Sequence, residues 1–264
     1  MAKQSKARPT RAGLNFPMYS NDRLVILDAD GTTVDAFSAI DKTFAMHGMD
    51  LGPLARFQKR RHVFKYLGGI KEFPRNLRKQ IARQKRSRII ATLTEVYRDE
   101  GHLYDGMAQL LDRLASRPGL RVGIVTRNIT RDPVDTLEAL FKREGFDPAR
   151  FDFLVHLPLA LAKLDAFRSI RDRFDVNPAL AFACGDEAAD YLAAVGAGIH
   201  PFMVSYGFED FERLTVRHGI PRELISRSPA ELGARILHTL SLGAVATEED
   251  AMAQPSGDAR AAIP

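Results

Sequence analysis

The chain has 264 residues, 45% of them hydrophobic and 27% charged, proportions that are typical of a globular protein. Its length allows one large domain, or one domain that carries a smaller insert. No run of about 18 apolar residues occurs, so we expect no membrane-spanning helix. The single cysteine, Cys184, excludes an intrachain disulfide, and its position in an apolar run favours a buried, inert thiol in a reducing cytoplasm.

The net charge of +5 is unevenly distributed. Between residues 56 and 88 there are thirteen Lys or Arg and one acid, Glu72, so the rest of the chain is net negative. Residues 1–19 are basic at their start and have no apolar stretch of the kind a secretory signal needs, which predicts a disordered basic arm. Residues 244–264 show no periodicity and are predicted to be a disordered tail.

Short apolar runs predict five β-strands, and helical periodicity lies between the later ones. This alternation indicates an α/β fold, a doubly wound parallel sheet covered by helices on both faces. The predicted strands are Leu24–Leu27, Arg121–Val125, Phe151–Val155, Leu180–Cys184 and Pro201–Ser205, and the helices between the last four are Asp132–Gly145, Leu161–Phe174 and Glu187–Gly198.

The first two strands are separated by far more residues than a crossover connection needs. The surplus, residues 36–103, has helical periodicity and is predicted to be a helical cap inserted into a core formed by residues 20–35 and 104–243. Its predicted helices begin near Phe37 and Leu77 and span Leu54–Tyr66, and Tyr104–Ser116 is the predicted crossover helix.

Two carboxylates, Asp28 and Asp30, directly follow the first apolar strand, in the sequence Asp-Ala-Asp-Gly-Thr. In open α/β sheets, ligands bind at the carboxyl ends of strands, and strand alternation sends both side chains the same way. Two acids there call for a shared proton or a cation, and Mg²⁺ prefers such oxygen ligands. The alternative is a strand that ends in a solvated Asp turn.

A second acidic pair follows the fourth strand, in the sequence Gly185-Asp186-Glu187-Ala188-Ala189-Asp190. Asp186 stands at the strand end and Asp190 one helical turn later. Such a carboxylate is ordinarily a helix cap, but together with the first pair it would complete a metal site.

Two further polar residues follow strands. Thr126 ends the second strand and could donate to a phosphate oxygen, although a cap or turn role is the common one. Lys163 follows the third strand at the predicted start of a helix, where an ammonium could neutralise an anionic intermediate, although an isolated Lys is usually solvated.

Together these segments resemble the haloacid dehalogenase-like hydrolase superfamily, and the cap resembles that of its phosphoglycolate phosphatase-like branch. Its motifs are met by Asp28 to Thr32, by Thr126, by Lys163, and by Gly185 with Asp186 and Asp190. The acid two residues after the nucleophile is absent from the dehalogenases of the family, so Asp30 favours phosphoryl transfer.

The resemblance implies a magnesium-dependent phosphomonoester hydrolase. Asp28 would be the nucleophile and Asp30 the general acid/base. Four acids would form the Mg²⁺ site, Asp30 through its main-chain carbonyl, and four other residues would hold the phosphoryl group. The metal-site acids are Asp28, Asp30, Asp186 and Asp190, and the phosphate-binding residues are Thr126, Lys163, Thr32 and Asn128.

The expected partner is a small phosphorylated substrate. The basic cap suits a substrate with several anionic groups, and it could instead dock on nucleic acid or an acidic surface, or be merely solvated. Alternatives to a phosphatase are a phosphomutase or phosphonatase of the same superfamily, or a non-catalytic polyanion-binding protein.

Overall fold

A parallel β-sheet forms the centre of the protein in a computed structural model, which describes residues 19–60 and 83–240. Within these ranges the sheet has six strands in the order β3-β2-β1-β4-β5-β6, all parallel. The strands are β1 Arg23–Leu27, β2 Leu120–Thr126, β3 Phe153–His156, β4 Ala181–Gly185, β5 His200–Val204 and β6 Ile225–Ser226.

Eight α-helices flank the sheet in the described ranges. They are α1 Ala36–Met46, α2 Leu54–Arg60, α3 Arg83–Glu100, α4 Met107–Ala115, α5 Pro133–Arg143, α6 Leu164–Arg173, α7 Ala188–Gly196 and α8 Pro229–Thr239. Short 3-10 turns occupy Pro148–Arg150, Pro178–Leu180 and Arg222–Leu224, and Arg213–Arg217 form a π-helix. No helix in these ranges combines the length and apolar character needed to cross a bilayer.

Local sequence explains where several helices begin. The Asp35 side chain accepts the Ser38 N–H at the start of α1, and Ser228 accepts the Glu231 N–H at the start of α8. Pro133 opens α5 at a position where its missing N–H costs nothing. The all-parallel sheet with strand order β3-β2-β1-β4-β5-β6 and its flanking helices confirm the predicted doubly wound α/β fold.

Strand alternation divides the core into two layers. Val25 and Leu27 of β1 pack on the side that holds α1, α3, α4, α5 and α8. Leu24 and Ile26 face the other side, where α6 and α7 cover the sheet. Because Leu24–Leu27 of β1 are buried between these layers, the residues that follow the strand emerge at the centre of the sheet's carboxyl edge.

The predicted cap insert is described only in part. Helices α1 and α3 pack against each other, and buried residues of both, among them Phe44 and Leu93, belong to the same hydrophobic cluster as the sheet. Most of the basic segment lies outside the described residues, as do the predicted arm and tail and the predicted start of the long helix near Leu77. The domain boundaries at 36 and 103 therefore stay predictions.

Candidate active site

A tight turn after β1 places the first two acids. The main-chain N–H of Asp28 donates to the carbonyl of Cys184 on β4 (2.9 Å), which extends the pairing of the two strands by one residue. The carbonyl of Ala29 then accepts the N–H groups of residues 32, 33 and 34. Gly31 turns the chain with φ of +82°, a conformation that residues with a Cβ rarely adopt.

Lys163 lies between two buried carboxylates. Its Nζ atom is 2.8 Å from Asp28 Oδ1 and 2.8 Å from Asp190 Oδ1, and the residue is only 4% exposed. The lysine precedes α6, while Asp190 lies in the first turn of α7, where its other oxygen accepts the Glu187 N–H (3.1 Å). The ammonium is therefore fixed beside Asp28 by elements that follow β3 and β4.

Asp186 is completely buried beside the turn after β1. Its Oδ2 atom accepts the N–H of Phe208 at 2.6 Å. A Cβ on Gly31 would lie 2.2 Å from that oxygen, and a Cβ on Gly207 would lie 2.4 Å from it. Both glycines are therefore required for the close approach of two backbone segments to this carboxylate.

The acids fit a metal ion. One carboxylate oxygen from each of Asp28, Asp186 and Asp190 lies within 4.8 Å of the other two. Asp186 Oδ1 is buried and has no hydrogen-bond donor among residues 19–60 and 83–240. Because a buried carboxylate oxygen without a partner is costly, a cation at this oxygen satisfies an otherwise unfavourable arrangement.

Asp30 accepts hydrogen bonds from two residues outside the acidic cluster of Asp28, Asp186 and Asp190. Asn128 Nδ2 donates to both of its carboxylate oxygens, at 3.0 and 3.1 Å, and the Tyr97 hydroxyl donates to Oδ1 at 2.9 Å. Asn128 is itself oriented, because its Oδ1 accepts from the Thr130 N–H (2.9 Å) and hydroxyl (2.6 Å). The Asp30 carboxylate is thus fixed from the loop after β2 and from α3.

The two predicted phosphate-binding threonines are buried. Thr126 Oγ1 accepts the Asn128 N–H at 3.0 Å, and no described residue accepts from its hydroxyl. Thr32 Oγ1 has no hydrogen-bond partner in the part of the chain that the structure describes, while its carbonyl accepts from the Tyr206 hydroxyl (2.9 Å).

Burial dominates the electrostatics of the site. Desolvation raises the pKa of Asp28 to about 7, although Lys163 opposes the shift. Desolvation also raises the pKa of Asp30 against the donors Asn128 and Tyr97, and it raises the pKa of Asp186 well above its ordinary value. For Lys163 burial lowers the pKa, but the facing Asp190 and Asp28 raise it more, so the ammonium stays charged.

Four of the predicted site residues line one cavity of 460 Å³ at the carboxyl edge of the sheet. The other four are buried and are not among its lining residues, although Asn128 contacts Asp30 and Asp190 contacts Lys163. The lining residues are Asp28, Asp30, Lys163 and Asp186, and the other four are Thr32, Thr126, Asn128 and Asp190.

Sequence reasoning missed Tyr97. It falls on the apolar face of α3 with Leu93 and Val96, and a tyrosine in that pattern reads as core. Only the fold shows that its hydroxyl reaches Asp30, because 67 residues separate the two in the chain.

The carboxylate–lysine pair and the clustered buried acids lie at the carboxyl edge of a doubly wound sheet, between β1 and β4, where open α/β folds place their ligand sites. The model of the haloacid dehalogenase-like hydrolase family matches residues 23–198, well over half of the chain. This protein belongs to that family.

Solved structures share the fold at low sequence identity, and a search of curated proteins found no match. A haloacid dehalogenase-like family hydrolase from Streptococcus pneumoniae is 19% identical, with a TM-score of 0.54 over 82% of this chain and 99% of that one. A predicted phosphoglycolate phosphatase from Haemophilus somnus is 16% identical, with a TM-score of 0.57 over 83% and 99%. CbbY from Rhodobacter sphaeroides, solved with phosphate, is 24% identical, with a TM-score of 0.55 over 80% and 96%.

Proposed function

We propose that this protein is a magnesium-dependent phosphomonoester hydrolase that works through an aspartyl-phosphate on Asp28. The observation that carries the proposal is the placement of Asp28 Oδ1 2.8 Å from the Lys163 ammonium, within a cluster of buried acids. A carboxylate beside a fixed cation, at the mouth of a cavity, is arranged to receive an anionic group and attack it.

In the first half of the reaction, an oxygen of the Asp28 carboxylate attacks phosphorus and the bond from phosphorus to the ester oxygen breaks. Asp30 gives its proton to that leaving oxygen. Its raised pKa favours the protonated form that this step requires, and the donors Asn128 and Tyr97 hold the carboxyl in place.

In the second half, the Asp30 carboxylate takes a proton from water while the water oxygen attacks phosphorus. The acyl phosphate bond to Asp28 breaks, inorganic phosphate leaves, and both carboxyl groups return to their starting states. Lys163 offsets the negative charge on the phosphoryl oxygens throughout, and Thr126, Thr32 and Asn128 are the proposed further phosphate contacts.

Asp28, Asp186 and the main-chain carbonyl of Asp30 would hold Mg²⁺. The bound ion would supply positive charge that offsets the carboxylates and the incoming phosphate. Asp190 contributes differently, because one of its oxygens is paired with Lys163 and the other accepts the Glu187 N–H. Asp190 is therefore proposed to orient the lysine as well as to complete the acidic shell.

The decisive test is release of inorganic phosphate by Asp28→Asn. With Mg²⁺ and p-nitrophenyl phosphate we expect at least a 10³-fold loss of kcat, because the amide cannot form the covalent intermediate. Asp105→Asn is the matched control, since this exposed acid precedes α4 and lies outside the cavity. Hydrolysis that survives in Asp28→Asn at the control's rate would contradict the mechanism.

Phosphate release, borohydride trapping and nucleic-acid binding together separate the alternatives. A phosphomutase would return the phosphoryl group to a second hydroxyl and release little inorganic phosphate. A phosphonatase would form a Schiff base with a cap lysine, which borohydride would trap in the presence of its substrate. A protein that binds nucleic acid with steep salt dependence, and hydrolyses no phosphate ester, would fit the polyanion-binding alternative.

A further inference from the structure

The cavity that holds the proposed nucleophile has a second wall built by the segment after β5. That wall contains Glu209, Arg213, Arg217 and His218, which line the same 460 Å³ space as Asp28. A cavity of this size holds a whole small metabolite. The residues on this wall therefore meet the part of the substrate that is not transferred.

A buried acid contacts two residues of this wall, an arginine and a histidine. Glu209 is completely buried, and its Oε2 atom accepts the N–H of Ala188 at 2.6 Å. Its Oε1 atom lies 3.4 Å from Arg213 Nε and 3.5 Å from His218 Nε2. Since Arg213 already balances the charge of Glu209, any further cation on the wall makes it net positive.

Arg217 is that further cation. Its side chain is exposed, lines the cavity, and forms no ion pair or hydrogen bond with residues 19–60 and 83–240. It ends the π-helix that begins at Arg213. Single π-helical turns are rare in proteins and are frequent at functional sites.

We propose that Arg217, with Arg213 and His218 beside it, binds a second anionic group of the substrate, a phosphate or a carboxylate. The inference rests on the proposed phosphatase function and names its substrate class, a small metabolite that carries an anionic group besides the transferred phosphate. Binding this group falls to the core domain, in addition to any contribution from the basic segment 56–88.

The experiment measures binding, so that it stands apart from the test of catalysis. Calorimetry with Asp28→Asn and Mg²⁺ would compare alkyl monophosphates of two to six carbons with the matching alkanediol bisphosphates and with ω-phosphorylated carboxylates. We expect at least one chain length at which the second anionic group tightens binding about tenfold or more, as a charge-assisted contact does. The bisphosphate and carboxylate arms show which group the wall prefers.

The measured quantity is the ratio of the monophosphate Kd to the Kd of its two-anion partner. Adding Arg217→Gln should bring this ratio to within about threefold of unity, and Arg217→Lys should retain part of the gain. Arg222→Gln, which removes one exposed positive charge outside the cavity, should leave the ratio unchanged.

The proposal is wrong if no chain length shows a gain, or if Arg217→Gln and Arg222→Gln lower the ratio equally. Either result can occur in an active phosphatase. Conversely, a gain that depends on Arg217 can occur in a chain that releases no phosphate from its esters, so the two proposals fail separately.

Discussion

At the scale of single residues, the hydroxyl of Tyr97 is the contact that joins α3 to the proposed chemistry. Tyr97 is buried, and desolvation raises the pKa of its phenol well above the ordinary value, so the hydroxyl keeps its proton and donates it in a hydrogen bond to Asp30. The hydrogen bond is made to an acid whose proton the first half-reaction uses. Loss of this hydrogen bond should therefore slow hydrolysis most for substrates whose leaving group needs that proton.

We expect Tyr97→Phe to lower kcat/KM about tenfold for an alkyl phosphate, and by much less for p-nitrophenyl phosphate. The reason is that p-nitrophenolate leaves without protonation, whereas an alkoxide requires a well-placed acid. Steady-state kinetics on both esters give the comparison, and Tyr191→Phe, which removes a hydroxyl from a separate hydrophobic cluster, is the control. Equal losses on the two esters would mean that Tyr97 acts only through stability.

The raised pKa of Asp28 predicts how stability depends on pH when metal is removed. The unfolded carboxyl titrates near 3.8 and the folded one near 7, so between these values the folded state binds more protons. The free energy of unfolding should then fall as pH rises from about 4 to 7. Thermal melts in a chelator should show this decline, and Asp28→Asn should make it shallower, while the raised pKa values of Asp30 and Asp186 maintain the rest.

The stabilisation by bound Mg²⁺ should instead increase with pH, because the ion binds the deprotonated carboxylates. Added Mg²⁺ is expected to raise Tm by several degrees at pH 8 and by little at pH 5. A rise in Tm that is the same at both pH values would contradict a site formed by acids of raised pKa.

The residues that sequence alone could identify are those whose position follows from the strands. Asp28 and Asp186 each stand at the end of an apolar run, and parallel strands bring such ends to one edge. The partners of Asp30 could not be found in that way. Asn128 lies two residues beyond its strand and Tyr97 lies inside a helix, so their contacts depend on loop and helix geometry that no local pattern contains.

At the scale of elements, the loop after β5 supports the site through a glycine. A Cβ at Gly207 would lie 2.3 Å from the carbonyl of Gly31 and 2.4 Å from Asp186 Oδ2. Both neighbours belong to segments that are themselves fixed, one by the turn after β1 and the other by the strand end of β4. Any side chain here must displace the carboxylate that the proposed metal needs.

Gly207→Ala should therefore weaken Mg²⁺ activation at least tenfold and lower stability by about 1–3 kcal/mol, the usual cost of overpacking a filled site. Activity titrated with Mg²⁺, together with thermal melts, measures both effects. Gly233→Ala is the control, since its Cβ would meet nothing closer than 3.8 Å and should stabilise α8 by up to about 1 kcal/mol. Unchanged Mg²⁺ activation in Gly207→Ala would show that Asp186 does not depend on this approach.

Most elements could be predicted because their patterns are local. The five predicted strands all occur, and the three helices predicted between the last four strands begin within three residues of their predicted positions. Strand β6 was missed, because two residues, Ile225 and Ser226, are too few to show alternation. The π-helix was also missed, since its hydrogen-bond pattern has no counterpart in hydrophobic periodicity.

At the scale of the whole molecule, α1 and α3 share one hydrophobic cluster with the sheet. Phe44 and Tyr97 are buried in the same continuous core as Val25. A cap with a separate core could unfold alone, but elements that share a core lose their packing together. The described part of the predicted insert is thus joined to the sheet by burial as well as by chain connections.

We therefore expect the described parts of the chain to unfold in a single cooperative transition. The chain has no tryptophan and six tyrosines, so tyrosine fluorescence reports on tertiary packing around all six, Tyr97 among them, while far-ultraviolet circular dichroism reports on the helices. The two urea melts should coincide. Separate midpoints would show that the insert unfolds independently of the sheet.

The central place of β1 has a consequence for how the protein is made. This strand is synthesised before both of its neighbours in the sheet, β2 and β4. Until β4 is synthesised, the apolar residues Leu24–Leu27 of β1 have an unpaired edge, and the proposed nucleophile lacks Asp186. Nascent chains should hence be prone to aggregate until synthesis has passed α7, and stalled products should be inert.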